Sequence, residues 1–154
     1  MTTVLTDKLK HWLKQKPETK SHFSPEEFLK SLNYIVGLDQ LLDSLSAKLR
    51  ENLNAQAVYI VLFEPITNRY VGKKAKGSDE TLLAGFNFSH SDNLIRWLTV
   101  NRCQLDVPKQ TEVVKFLSPF EQDLIRRTGV VLIVPLIVVN RLTGALFLTA
   151  KADG

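Results

Sequence analysis

The sequence predicts an α+β protein in which antiparallel strands, joined as hairpins, carry helices laid over them. Three observations lead there. The stretch VVLIVPLIVVNRLTGALFLTAK, residues 130–151, holds an apolar run from Val130 to Val139 that Asn140 and Arg141 interrupt. A membrane span needs about 20 apolar residues, so the stretch reads instead as two strands folding back at NRLTG, residues 140–144. QAVYIVLFEPITNRYVGKKAKG, residues 56–77, repeats the strand–turn–strand pattern, with PITN supplying the turn. Finally, FSPEEF and SPFE each place a capping serine, a proline at the first helical position and a glutamate three residues after the cap.

The totals bound what such a chain does. Its 154 residues suit one domain with a helical extension, 44% hydrophobic content supplies a core, and 23% charged residues suit a soluble surface. Net charge is +4, from 20 Lys and Arg against 16 Asp and Glu. Basic side chains gather only at Arg69, Lys73, Lys74 and Lys76, which reads as a solvated strand end. A nucleic-acid reader shows a dense basic face, so no nucleic-acid partner is expected. One cysteine, Cys103, excludes an internal disulfide and fits a reducing, cytoplasmic compartment. The N-terminus MTTVLTDKLKHWLKQKP has no uninterrupted apolar core of a signal peptide.

The elements follow in chain order. Residues 4–16 read as a short amphipathic helix, with Leu5, Leu9, Trp12 and Leu13 on one face and lysines around it. It packs on its own protein, on a twin subunit or on a membrane surface. KPETKSH, residues 16–22, breaks it. Ser24, Pro25 and Glu27 then open a second helix, with Phe23 and Phe28 at the positions of a hydrophobic staple. Phe28, Ile35, Leu42 and Leu49 recur every seven residues along one long helix, or along two broken near Gly37. The strand pair at 56–77 comes next, and GSDETLLAGFNF holds a loop or a short strand. SDNLIRWLTVN reads as a helix capped by Ser91 or Asp92, with Leu94, Ile95 and Leu98 buried and Trp97 beside them. CQLDV, residues 103–107, is a short strand ended by Pro108. Ser118, Pro119 and Glu121 start another helix, which Arg126 and Arg127 suit at its negative end and Gly129 terminates. In the last hairpin Pro135 has no N–H to give a ladder, so its strand is expected to bulge or stay unpaired there.

This order of elements resembles the GAF domain, a family of sensory modules. Three pieces carry the resemblance: LDQLLDSLSAKLRENLNAQAVYIVLFEP, DNLIRWLTVNRCQLDV and FEQDLIRRTGVVLIVPLIVVNRLTGALFLTAK, of which VPLIV…RLTGALFL is the most specific. Together they span roughly residues 38–151, most of the chain by the usual size of a domain. The texture is similar to GAF domains of bacterial sensor histidine kinases and diguanylate cyclase-type regulators. The resemblance implies a profilin-like antiparallel sheet of about six strands, with helices on both faces. It divides the chain into an N-terminal helical extension, residues 1–36, and the domain proper, residues 37–154. The family's closing C-terminal helix is missing after KADG, which makes the chain read as a piece of a longer protein.

The resemblance also implies a pocket, roofed by Phe86, Phe88, His90, Asn93, Leu94 and Trp97: an aromatic and apolar cavity with a few polar tips, or else ordinary core packing. The family's cyclic-nucleotide signature, an Asn-Lys-Phe-Asp-Glu set, has no counterpart. CQLDVPK does not reproduce the bilin-attachment motif, so Cys103 reads as a small buried hydrophobe. Methionine-sulfoxide-reducing relatives need more than one cysteine. SHSD, residues 89–92, holds Ser, His and Asp, but adjacent residues cannot stand in line as nucleophile, base and orienter; helix capping accounts for them. His90 is placed to meet a bound anion, or haem as in a minority of relatives. His11, His22 and His90 lack metal-ligand spacing. No catalytic or metal site is therefore expected, and the cofactor is left open. The expected function is a cytoplasmic regulatory module that binds a small molecule, or relays a signal through a homodimer of its N-terminal helices, to an output domain. The alternative is a ligand-free dimerisation scaffold.

Overall fold

The computed structural model describes residues 35–78 and 80–151. The first helix among the described residues, α1 (Ile35–Leu53), runs through Gly37 without a break. The expected helix at residues 4–16 and the capped start at Ser24 lie outside the described residues. After α1 come β1 (Val58–Glu64) and β2 (Arg69–Lys76), then a 3₁₀ turn (Glu80–Gly85) and β3 (Asn87–Phe88). Next are α2 (Asn93–Asn101), β4 (Leu105–Asp106), α3 (Thr111–Phe116), α4 (Pro119–Thr128), β5 (Val130–Val138) and β6 (Arg141–Thr149). The strands form one six-stranded sheet in the order β3-β2-β1-β6-β5-β4, and every pairing is antiparallel. The apolar C-terminal stretch is thus a hairpin inside a sheet. No helix among the described residues is long and apolar enough to cross a membrane.

The period-two geometry of a strand sorts the core into two layers. Val58 and Ile60 on β1, with Leu146 and Leu148 on β6, meet Leu42 and its neighbours Leu38, Leu45 and Leu49 on α1. The residues between them, Tyr59, Val61, Ala145 and Phe147, point to the opposite face, where Leu94, Ile95 and Leu98 of α2 and Leu124 and Ile125 of α4 cover them. Gly144 pairs with Leu62 where β6 lies against β1. A Cβ there would stand 2.2 Å from the Val61 carbonyl oxygen, so no larger residue fits without moving the backbone.

The structure corrects four local expectations. The hairpin turn is Val139–Asn140 rather than residues 140–144, both residues with positive φ (49° and 61°). A two-residue turn of this kind matches the strand twist, but a β-branched residue hides the signal. Pro135 pairs in register with Ala145, and the irregularity falls one residue later, between Leu136 and Ile137. On the other edge, β4 pairs only Leu105 and Asp106 with Ile133 and Leu132. It starts two register positions short of Pro135, which has no N–H for that ladder. Cys103 is exposed rather than buried, because it lies in the irregular link between the αL residue Arg102 (φ 53°) and the shortened β4. Asp92 is the N-cap of α2 by position, yet its side chain does not cap. It accepts instead from the Ser89 N–H at 2.8 Å, because a first-turn donor of α2 is engaged from outside the helix, as described below. Helix α3 has no counterpart in the sequence reading: six residues offer too little periodicity to register.

Candidate functional site

The six pocket candidates come from one stretch, the end of the 3₁₀ turn through α2, and the structure divides them between two settings. Phe86, Phe88 and Leu94 are fully buried. Trp97 packs against the same layer while partly exposed. They form an aromatic layer with two residues the sequence reading passed over, Tyr59 and Phe147. Tyr59 stacks on Phe86 with ring centroids 4.6 Å apart, and Phe86 meets Phe147 edge-on at 4.9 Å. Phe88 lies parallel to Phe147 at 6.0 Å. Such pairs add about 0.5–1.5 kcal/mol each beyond area burial. The alternating phase of β1 and β6 was the available signal for Tyr59 and Phe147, since it assigns both to the face opposite α1.

His90 sits apart from that layer. Its side chain is exposed and its ring rests against Phe63 at 5.3 Å and Tyr70 at 5.2 Å, while Nε2 is 3.2 Å from the Asn68 side-chain oxygen. Tyr70 is buried and donates its hydroxyl to the Leu142 carbonyl at 2.9 Å; desolvation pushes its phenol above the ordinary value. The SHSD stretch is a turn held by the Ser89–Asp92 bond and by a 2.8 Å contact between the Ser89 and Ser91 hydroxyls. Asn93 turns its amide the other way and donates to the Phe116 carbonyl at 2.9 Å.

Beneath these residues lies Glu121, 1% exposed. It completes the capping box of α4 through Oε1, which accepts from Ser118 N–H at 2.8 Å. Its other oxygen, Oε2, accepts from the Leu94 N–H of α2 at 2.7 Å. This is the outside partner that leaves Asp92 free to bind Ser89. The capping box was legible in SPFE. The second bond was not, because it joins residues 27 positions apart.

The basic stretch of β2 also acquires partners. Lys76 pairs with Asp43 at 3.1 Å, Lys74 lies 3.5 Å from Asp39 and 3.6 Å from Asp43, and Lys73 pairs with Glu64 at 3.1 Å. Arg69 hydrogen-bonds the Asn87 side chain. The hydrogen bond and charge of Lys76, helped by Lys74, hold the Asp43 carboxyl below its ordinary range. The Thr67 hydroxyl and then Lys73 do the same for Glu64. These cations tie α1 and the β1–β2 turn to the strand. Two surface hollows lie elsewhere. One of about 290 Å³ is lined by Arg50, Glu51, Asn54 and Lys76 among others. The other, about 590 Å³, lies over α3 and α4, at Val114, Pro119, Gln122 and Ile125. Neither shares a residue with the six candidates. Among the described residues no cluster of three or more metal-ligating side chains occurs.

No family model matches this sequence, and comparison with curated proteins gives no match. Solved structures do match. The GAF domain/HD domain protein from Geobacter sulfurreducens superposes with a TM-score of 0.57 at 20% identity, over 75% of this chain and 76% of that one. The GAF domain of an Acinetobacter phosphoenolpyruvate-protein phosphotransferase gives 0.52 at 16% identity, over 84% and 80%. The NreA protein of Staphylococcus aureus, in a form mutated in its nitrate binding site, gives 0.57 at 13% identity, over 77% and 88%. At these identities the likeness is one of architecture, and the sheet order, the helix layers on both faces and the superpositions agree: this chain has the GAF-domain fold.

Proposed function

We propose that this chain is a regulatory module of a bacterial signalling protein, working in the cytoplasm and passing a change of state through its N-terminal helices, paired as a homodimer, to an output domain. The observation that carries this reading is the position of α1. It lies on the sheet face opposite the aromatic layer, bound to β1 and β6 by Leu42 and its neighbours and to β2 by Lys74 and Lys76. A shift in the layer behind the sheet therefore reaches the helix that leads out of the domain through one sheet's thickness. In this reading residues 1–36 serve as the helical extension and residues 37–154 as the domain. The relay is a population shift: whatever favours one packing of the layer biases the pairing of the helices. Light scattering tests it. The intact chain is expected to be dimeric at micromolar concentration and the chain lacking residues 1–36 monomeric; undiminished dimerisation after truncation counts against the reading.

A specific observation favours the ligand-free form of this function. The rings of Tyr59, Phe86, Phe88 and Phe147 fill the space between sheet and helices, and the Asn93 amide and both Glu121 oxygens are engaged within the protein. In the small-molecule form, Phe86, Phe88, Leu94 and Trp97 would have to part, and His90 and Asn93 would have to leave their present partners, to surround a ligand. The nitrate site named for the Staphylococcus aureus protein makes small anions the first probes to try.

A further inference from the structure

Glu121 is a buried carboxylate that serves two helices at once, and its geometry is more than a cap requires. A capping box needs one oxygen on the N-cap N–H. The second oxygen is spent on Leu94, in the first turn of a different helix. Both bonds are short, at 2.8 and 2.7 Å, and both reach backbone donors, so no side-chain rotation replaces them. Around this point the Asn93 amide holds the Phe116 carbonyl, and the Gln122 amide holds the Leu117 carbonyl at 2.7 Å. The start of α2 and the corner between α3 and α4 are thereby tied together by polar bonds, with Leu94, Leu117 and Leu124 buried between them. Helix α4 then ends at Gly129 (φ 74°) and enters β5 without a linker.

We propose that Glu121 is a latch that makes the N-terminal turns of α2 and α4 one mechanical unit, so that a displacement of the loop before α2 is handed to α4 and, through Gly129, to β5. A charge-assisted bond to a buried carboxylate is among the stronger protein hydrogen bonds, and Leu94 N–H has no helical acceptor of its own in the first turn. Loss of the Oε2 acceptor therefore frees a buried first-turn amide of α2 and leaves its burial uncompensated, and loss of the Oε1 acceptor frees the N-cap amide of α4. The latch rests on this geometry alone. Only its use in signalling rests on the regulatory reading above.

Residue-resolved hydrogen exchange on the full chain tests it, with Glu121→Gln and Ser118→Ala compared to wild type. Glu121→Gln keeps the shape but retains one acceptor oxygen for two donors. It is expected to speed exchange at Leu94 and in the first turn of α2 by about 10- to 100-fold, the effect of losing one charged hydrogen bond, while β1 and β6 stay protected. Ser118→Ala removes only a cap of α4 and is expected to leave α2 unchanged. Where Glu121→Gln does not fold, Glu121→Asp, one methylene shorter and unable to span both donors, supplies the same comparison. Exchange faster in α4 alone, or a uniform rise across the sheet, overturns the latch and leaves the regulatory reading standing. Undiminished dimerisation after removal of residues 1–36 does the reverse.

Discussion

Val139 and Asn140 turn the β5–β6 hairpin with both residues at positive φ, and Val139 is 88% exposed. Asn accepts that conformation readily. A β-branched residue does not, and strain of this kind costs about 1–3 kcal/mol. The Arg102 guanidinium compensates in part, donating to the Asn140 side-chain oxygen at 3.2 Å and to its carbonyl at 3.4 Å. Replacing the pair with the sequence such turns prefer, Val139→Asn with Asn140→Gly, is expected to stabilise the fold by about 1 kcal/mol. The check is a urea midpoint that rises at constant slope; a fall would mean that the lost Arg102–Asn140 side-chain bond, or a contact of Val139, is worth more than the strain. The same residue explains why the turn was misplaced by reading the sequence: NRLTG contains the better turn formers, and the register set by the two strands overrode them.

The link between α1 and the sheet is electrostatic at its rim, on β2, and apolar at its centre, on β1 and β6. Leu42 and its neighbours supply most of the attachment, since exposed ion pairs contribute little. Asp43 nevertheless touches two lysines, at 3.1 and 3.6 Å, and its carboxyl is held below its ordinary value of 3.8. The sign follows directly. A folded-state value below the unfolded one means the contribution is complete at neutral pH and is lost as pH falls below 3.8 through the folded value. Asp43→Asn should therefore be slightly less stable than wild type at pH 7, and the gap should close on acidification and on addition of salt. Paired urea titrations from pH 7 to pH 3 measure it, and a gap independent of pH would assign the loss to packing. The lysines were visible in the sequence as a solvated strand end. Their partners were not, because Asp39 and Asp43 sit on a helix more than thirty residues away, facing β2 only once α1 is docked.

Taken as a molecule, the protein is a sheet with a different kind of layer on each side: aliphatic beneath α1, aromatic beneath α2 and α4. That asymmetry bears on whether anything binds. A layer already filled by four rings admits a ligand only by repacking, so sodium nitrate, cyclic AMP, cyclic GMP and haem are each expected to leave the thermal midpoint unmoved. Binding at a hundred times the dissociation constant would stabilise by about 2.7 kcal/mol, a shift of several degrees for a domain of this size. A reproducible rise with any of the four would replace the ligand-free form with a sensor that opens on binding.

Much of this was written locally. The Ser-Pro-x-Glu start of α4, the Gly129 stop, the buried stripe of α2 and the length of the apolar run before Asn140 follow from capping chemistry, glycine's freedom at positive φ and the thickness of a bilayer, all of which act over a few residues. What assembled the rest acts across the chain. That Glu121 spans two helices, that His90 leaves the aromatic layer for Phe63 and Tyr70, that Tyr59 and Phe147 complete that layer, and that β2 lysines meet α1 aspartates all depend on which strand lies beside which. Contacts between distant residues form only after the pleat has chosen a face for each side chain, and no short stretch of residues carries that choice alone.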